Sequence, residues 1–464
     1  VITRGVFKAN DIRGIAVGPS PEWDADGAFA VGAALVDTLD LVAAEGALVL
    51  GRDMRVTSPE FAAAFARGVL SRGADVVDIG LASTDELWFA SGRLGLPGAM
   101  FTASHNPASY NGVKFCLAGA RPIASATLVE IADRAINDVP VTAPALGELS
   151  ELDLLPAYAD HLHTLVDLSG CRRLRVVADA GNGMAGHTLP AVLGSANVDL
   201  IGLYTDLDGT FPHHPPNPLE PENLRDAQAA VLEHQADLAL VFDGDADRCF
   251  IIDERGEVVS PSVVTAMIAS QELAREPGAT IVRNTITSRA VSELVERLGG
   301  HIVTTRVGHT FVKAAMAEHD AIFGGEHSAH YYFRDFWGAD TGMLAGLHVL
   351  ALVGNSDKPL SELAGSYSRY VESGELNSVV VDTAQVTDAV AERFADRAAL
   401  ERLDGLTVAA DDWWFNLRPS NTEPLLRLNV EAADHDTMVA VRDEVLAVIQ
   451  DTARGPAVEQ SPLL

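Results

Sequence analysis

Cysteine is nearly absent. The three present in 464 residues, Cys116, Cys171 and Cys249, are too few and too far apart for a disulfide framework or a zinc pattern, and are expected as reduced thiols in or near a core. Positive charge is also short: 33 Lys and Arg face 65 Asp and Glu, a formal charge of −32, which excludes a basic face able to neutralise a nucleic-acid backbone. A small anionic substrate remains compatible if a few cations are concentrated inside the acidic shell. No apolar run reaches the roughly 18 residues of a spanning helix. The opening VITRGVFKAND lacks a signal-peptide core. A cytoplasmic chain with no membrane partner and no obligate protein partner is therefore expected. Hydrophobic content of 48% against 21% charged residues is globular, and the length exceeds one core, so two to four domains are expected.

Apolar runs alternate with helical patterns along most of the chain. GALVLG (Gly46–Gly51), ADVVDIG (Ala74–Gly80) and Gly98–Thr102 read as buried strands. Between the first two, SPEFAAAFARGVLSRG reads as a helix capped by Ser58. The order is β-α-β-α, which implies an α/β fold with a mostly parallel sheet and ligands beyond the carboxyl ends of its strands. Asn137–Asp153, rich in Pro, Gly and acids, reads as a linker. The pattern divides into units at 1–150, 151–256, 257–368 and 369–464, the last an α+β unit with antiparallel strands.

Four stretches carry chemistry. MFTASHNPASYNGVKF places Ser104 just past a strand, with Lys114 ten residues on. In DGDADR, Asp243, Asp245 and Asp247 alternate with small residues; in extended backbone they would share one side, where only a hard cation such as Mg²⁺ relieves their repulsion. GGEHSAH offers Glu326 and Ser328 for adjacent sugar hydroxyls and His330 for proton transfer. RPSNTEPLLR offers Arg418, Ser420, Asn421 and Thr422 as a cradle for a phosphate dianion. NDIRG and VGHT add Arg13 and His309. Alone, each also fits a plain polar turn. GNGMAG (Gly181–Gly186) formally matches a dinucleotide fingerprint, leaving an NAD-dependent oxidoreductase as a rival, although a tight strand-to-helix turn explains the same glycines.

Taken together, TASHNP, DGDADR, GEHSAH and RPSNTEP, with NDIRG, NGVKF, DAGNGMAG and RVGHT, resemble the signature loops of the α-D-phosphohexomutases, in order and across the whole chain. The form GEHSAHYYFRDF is similar to that of the bacterial phosphomannomutase branch, some members of which also accept glucose phosphates. The resemblance implies four domains around a central cleft, three of them similar α/β units. It implies reversible exchange of mannose 6-phosphate and mannose 1-phosphate, or the glucose equivalents, through a phosphoserine and a hexose 1,6-bisphosphate. It places the phosphoryl group on Ser104 and Mg²⁺ on Asp243, Asp245, Asp247 and a phosphate oxygen at Ser104. Arg248 and Lys114 would lie beside the reacting phosphate, Glu326 and Ser328 on the sugar, and Arg418, Ser420, Asn421 and Thr422 on the distal phosphate. Arg13, Lys114, His309 and His330 would stabilise charge or move protons, Lys114 as a general base requiring a burial-lowered pKa. Asn10, STDE (Ser83–Glu86), His327 and Ala329 depart from the family's pattern and bear on substrate choice. A phosphatase using the same metal loop and a non-catalytic sugar-phosphate binder are the remaining rivals.

Overall fold

A computed structural model of the chain describes residues 1–42, 46–138, 143–420 and 425–453. They form four sheets, three mixed and one antiparallel. In the first, Gly98–Phe101, Ala47–Arg52, Asp75–Leu81 and Leu149–Glu151 run parallel, and Gly98–Phe101 also pairs antiparallel with Tyr110–Leu117. The second joins Val198–Leu203, Leu174–Asp179 and Leu238–Phe242 in parallel, then turns back into Cys249–Asp253. The third repeats this with His301–Thr305, Thr280–Asn284 and Phe323–Gly325, followed by antiparallel Tyr331–Phe333. The fourth, Val371–Val379, Leu425–Ala432, Trp413–Pro419, Leu406–Ala409 and Ala399–Glu401, is antiparallel throughout.

The first three units thus share one device. A buried parallel strand ends, a short loop follows, and the chain returns on an antiparallel neighbour. The loops so placed are 102–109, 243–248 and 326–330. A buried strand cannot continue past its sheet without stranding backbone donors, so polar loops fall at these ends. Ligand-facing residues in open α/β sheets collect there for the same reason.

Two local readings change. The segment read as a linker ends in a strand, Leu149–Glu151, paired with Asp75–Leu81; its three residues are all exposed, so no apolar alternation marked it. Ser58 does not cap its helix. Thr57 precedes it, and the Ser58 hydroxyl donates to Asp53 Oδ1 at 2.6 Å.

One continuous apolar cluster joins the first three units, including Leu87, Trp88, Tyr158, Val177, Leu240, Phe323 and Leu347. The C-terminal unit has its own core around Phe394, Phe415 and Val445. A buried carboxyl reinforces the three-way junction: Asp85 Oδ2 accepts from Tyr158 and from Thr341, each at 2.7 Å, and burial pushes its pKa up to about 6. Among the described residues, no helix is long and apolar enough to cross a membrane.

Helices Ala25–Leu39 and Ser58–Ser71 pack at glycines. A Cβ on Gly68 would lie 2.1 Å from the Phe29 carbonyl oxygen, and one on Gly32 2.3 Å from that of Phe65. Gly68→Ala gains about 1 kcal/mol of helix propensity. It must also push two backbones apart, and overpacking of this kind costs about 1–3 kcal/mol. The expected result is a lower urea midpoint at unchanged slope; a raised midpoint would show slack between the helices.

Candidate active site

Ser104 sits in the first loop with a left-handed φ of 49°, 4% exposed. A non-glycine residue holds that conformation only where its surroundings over-determine it. Its N–H donates to Thr102 Oγ1 at 2.9 Å, and its hydroxyl donates to Asp243 Oδ2 at 2.9 Å, across to the second unit. His105 Nδ1 lies 3.3 Å from the same hydroxyl. Arg13 reaches the loop through Asn106 Oδ1 at 2.8 Å and pairs with Asp11 at 2.6 Å.

The three aspartates converge, but not by strand alternation. The strand stops at Phe242, and residues 243–248 form a turn in which Ala246 takes a φ of 61° and donates to the Asp243 carbonyl at 3.1 Å. The carboxylates are at most 2% exposed and within 4.8 Å of one another. Arg248 pairs with Asp243 at 2.7 Å. Lys114, opposite Met100 in the first sheet, bridges Asp245 at 2.7 Å and Asp247 at 2.5 Å. Thr84, from the STDE segment, donates to Asp245 at 2.6 Å. Asp245 Oδ1 and Asp247 Oδ1 are buried with no hydrogen-bond partner. Three carboxylates meet two cations, and two oxygens have no donor. This all-oxygen set fits a hard divalent cation.

The electrostatics follow from burial set against these partners. Burial pushes Asp243 up to about 7, against the pull of Arg248. Burial pushes Asp245 the same way, but Lys114 outweighs it and holds the carboxyl well below the usual range. Lys114 itself departs from expectation. Burial alone would lower its pKa, but Asp245, Asp247 and Asp243 drive it above the ordinary lysine value, so the amine is held as a cation.

In the third loop, Glu326 and Ser328 do not share a strand face, because Ala329 at φ 64° closes a turn from Glu326 to His330. Glu326 is 2% exposed and accepts from Asn284 at 3.2 Å, Gly308 N at 3.1 Å and Tyr332 at 3.1 Å. Ser328 Oγ is 2.9 Å from His330 Nδ1, and His330 Nε2 lies 4.0 Å from Asp247. A bridge between Arg248 and His330 ties this loop to the aspartate loop 243–248. Burial pushes His330 down to about 4 despite Asp247. Burial and then Lys313 push His309, at the head of His309–Glu318, down to about 4. Asp340, which with Asp247 and His330 forms a second acidic grouping, is already paired to Lys313 at 2.7 Å.

Arg418 lies directly across the strand pair from Arg427. Facing like charges repel. Glu375 resolves this by pairing with Arg418 at 2.8 Å and Arg427 at 3.0 Å, from a strand whose register shifts between Glu372 and Glu375. Ser420 N donates to the Leu425 carbonyl at 2.8 Å. Asn421 and Thr422 lie outside the described residues. This unit docks against the third: Asp404 accepts from Val307 N at 2.9 Å, and Glu431 from Ser288 at 3.0 Å.

The structure therefore brings Ser104, Lys114, Arg13, Asp243, Asp245, Asp247, Arg248, Ser328 and His330 together where three units meet. Arg418 and Ser420 lie on the fourth. Sequence reasoning missed Arg55, Thr84, Arg427 and Glu375. For Arg55 a signal existed, since GRDMR puts three charges at and just past the end of a buried strand. The GNGMAG glycines serve packing: a Cβ on Gly183 would lie 2.6 Å from the Gly244 carbonyl of the metal loop. That contact leaves the dinucleotide reading without support.

Models of the four phosphoglucomutase/phosphomannomutase domains match in order: alpha/beta/alpha domain I at residues 4–139, II at 156–256, III at 261–370 and the C-terminal domain at 375–448. A phosphomannomutase of Escherichia coli (strain K12) is 39% identical over 96% of this chain and 98% of its own length. A Xanthomonas campestris relative named for phosphohexose mutases is 38% identical over 96% and 99%. A phosphoglucomutase/phosphomannomutase family protein from Burkholderia thailandensis superposes with a TM-score of 0.89 at 30% identity, covering 98% of this chain and 99% of that one. The chain belongs to the phosphoglucomutase/phosphomannomutase family and is a phosphohexomutase, an isomerase.

Proposed function

We propose that the protein interconverts mannose 6-phosphate and mannose 1-phosphate, with Ser104 as the phosphoryl carrier. The observation that carries this reading is the Ser104 hydroxyl 2.9 Å from Asp243, inside a triad with two undonated carboxylate oxygens. The names of the Escherichia coli and Salmonella relatives support mannose. The Xanthomonas name supports a wider range that includes glucose phosphates. Three buried thiols, none in a disulfide, suit the cytoplasm.

A phosphate on Ser104 adds about two negative charges. The triad, already one negative charge in excess of Lys114 and Arg248, would repel it without a divalent cation. Asp243, Asp245 and Asp247 would hold Mg²⁺, which when bound offsets charge on the transferring group. Ser104 Oγ gives up its phosphoryl group to O1 or O6 of the bound hexose monophosphate, forming the 1,6-bisphosphate. The proton of the attacking sugar hydroxyl leaves to a neutral imidazole, and the Ser104 Oγ that is released takes up one proton in turn, so the transfer is proton-neutral. His330, oriented by Ser328, suits that role, whereas Lys114 serves as a fixed cation. The sugar turns end for end, the other phosphoryl group returns to Ser104 Oγ, and the isomer departs. Arg418 and Arg427 bind whichever phosphate is not reacting, taking it in exchange for Glu375.

Ser104→Ala is expected to lower turnover at least about 1,000-fold, as removal of a covalent carrier does. Label placed on Ser104 of the native protein should appear in the sugar; label released only as inorganic phosphate would instead favour a phosphatase. EDTA should abolish activity and Mg²⁺ restore it, and chelator resistance would refute the metal role of the aspartates. Arg418→Ala should raise KM for mannose 1-phosphate about 10-fold or more, from charge-assisted hydrogen bonds of about 1.5–3 kcal/mol, with kcat little changed. An unchanged KM would remove Arg418 from the cradle.

A further inference from the structure

We propose that Arg55 is a positioning residue for phosphoryl transfer, its guanidinium setting the backbone of the serine loop against the metal loop. This rests on the reading of Ser104 as the phosphoryl carrier. Arg55 is 1% exposed, between Ala47–Arg52 and Ser58–Ser71. Its Nη1 donates to the carbonyls of Pro107 at 2.8 Å and Tyr110 at 3.0 Å, and its Nη2 to those of Ser104 at 2.8 Å and Asn106 at 2.7 Å. One planar fork thereby gathers three carbonyls of the serine loop and that of Tyr110, the first residue of the strand that follows it. Asp53 balances the charge, 3.2 Å from Nε, and its other oxygen accepts from Arg55 N at 3.0 Å and Ser58 at 2.6 Å.

The second unit closes over this fork. The Phe211 ring lies 5.1 Å from the guanidinium carbon, and a Cβ on Gly209 would stand 2.5 Å from Arg55 Cα. The Ser104 carbonyl is gripped from both sides. Arg55 donates to it, and a Cβ on Gly244 would come within 2.5 Å of its oxygen. The same residue holds a left-handed φ of 49°. With its carbonyl pinned between a guanidinium and the metal loop, Ser104 has little freedom to move its Oγ relative to Asp243. The flanking strands keep their register through their own ladder, Gly98 opposite Cys116 to Phe101 opposite Val113, so the fork acts mainly on the loop.

Lysine keeps the charge but presents three donors from one point, and cannot span four carbonyls. A displacement of about 1 Å at a reacting centre costs about 100-fold in rate. Arg55→Lys is therefore expected to lower kcat about 100-fold, with KM for mannose 1-phosphate within about threefold, because the distal cradle is untouched. Mn²⁺ titration followed by paramagnetic resonance should give the native affinity, since Asp243, Asp245 and Asp247 are unaltered. In Arg55→Ala, millimolar guanidinium should restore part of kcat. Arg55→Lys turnover within about threefold of native would overturn the proposal, as would a kcat loss accompanied by lost Mn²⁺ binding and a collapsed thermal midpoint. Intact mass separates this from the parent reading. Native protein that never gains a phosphate from a hexose 1,6-bisphosphate overturns both. Native protein that gains one, alongside a fully active Arg55→Lys, overturns the positioning role alone.

Discussion

Three carboxylates buried to 2% exposure or less, within 4.8 Å of each other, are the constraint around which this molecule is arranged. Isolated buried charge is costly and must be paired. Here the pairing crosses unit boundaries. Lys114 and Thr84 come from the first unit, and Arg248 comes from the metal loop itself while bridging to His330 of the third. The need to neutralise one loop therefore joins three units. The charge left over suits a cation, and with it a phosphorylated Ser104.

The repeated strand-end loop explains how one fold supplies three kinds of group. Each of the first three units presents a polar turn between a parallel strand and its antiparallel neighbour: a hydroxyl in one, carboxylates in the next, a Ser–His pair in the third. Their shared apolar cluster holds the turns in fixed relation, as transfer over short distances requires. The C-terminal unit has a separate core and meets the third through a few polar contacts such as Asp404 with Val307 and Glu431 with Ser288. Loops fixed on a shared core and a separately folded C-terminal unit suit the proposed reaction, in which the substrate would present either phosphate.

Much of the site was legible from local pattern. DGDADR stood out because buried strands bracket three acids, and Ser104 because it is a hydroxyl at a strand end. The route to convergence was not legible. Asp243, Asp245 and Asp247 meet through a turn with Ala246 left-handed, and Glu326 separates from Ser328 through a turn at Ala329. Both contradict an extended backbone, since nothing in the residue types forces those dihedrals. The exposed strand Leu149–Glu151 was missed because pairing, not amphipathicity, defines it.

Lys114 shows the division most plainly. Spacing put a lysine ten residues after the serine, and the family resemblance implied a base whose pKa burial would have to lower. The fold puts Asp245 and Asp247 within 2.7 Å of its amine, and Coulomb attraction reverses the sign of that shift. The partners of Arg55 and of Arg418, unlike the residues themselves, cannot be read along the chain for the same reason: Ser104 and Glu375 lie tens of residues away. Residue type and order were enough to specify family and fold class and to nominate the candidate groups. Which group is charged, which is held in place and which faces which depend on distances between distant segments, and those exist only once the units have packed.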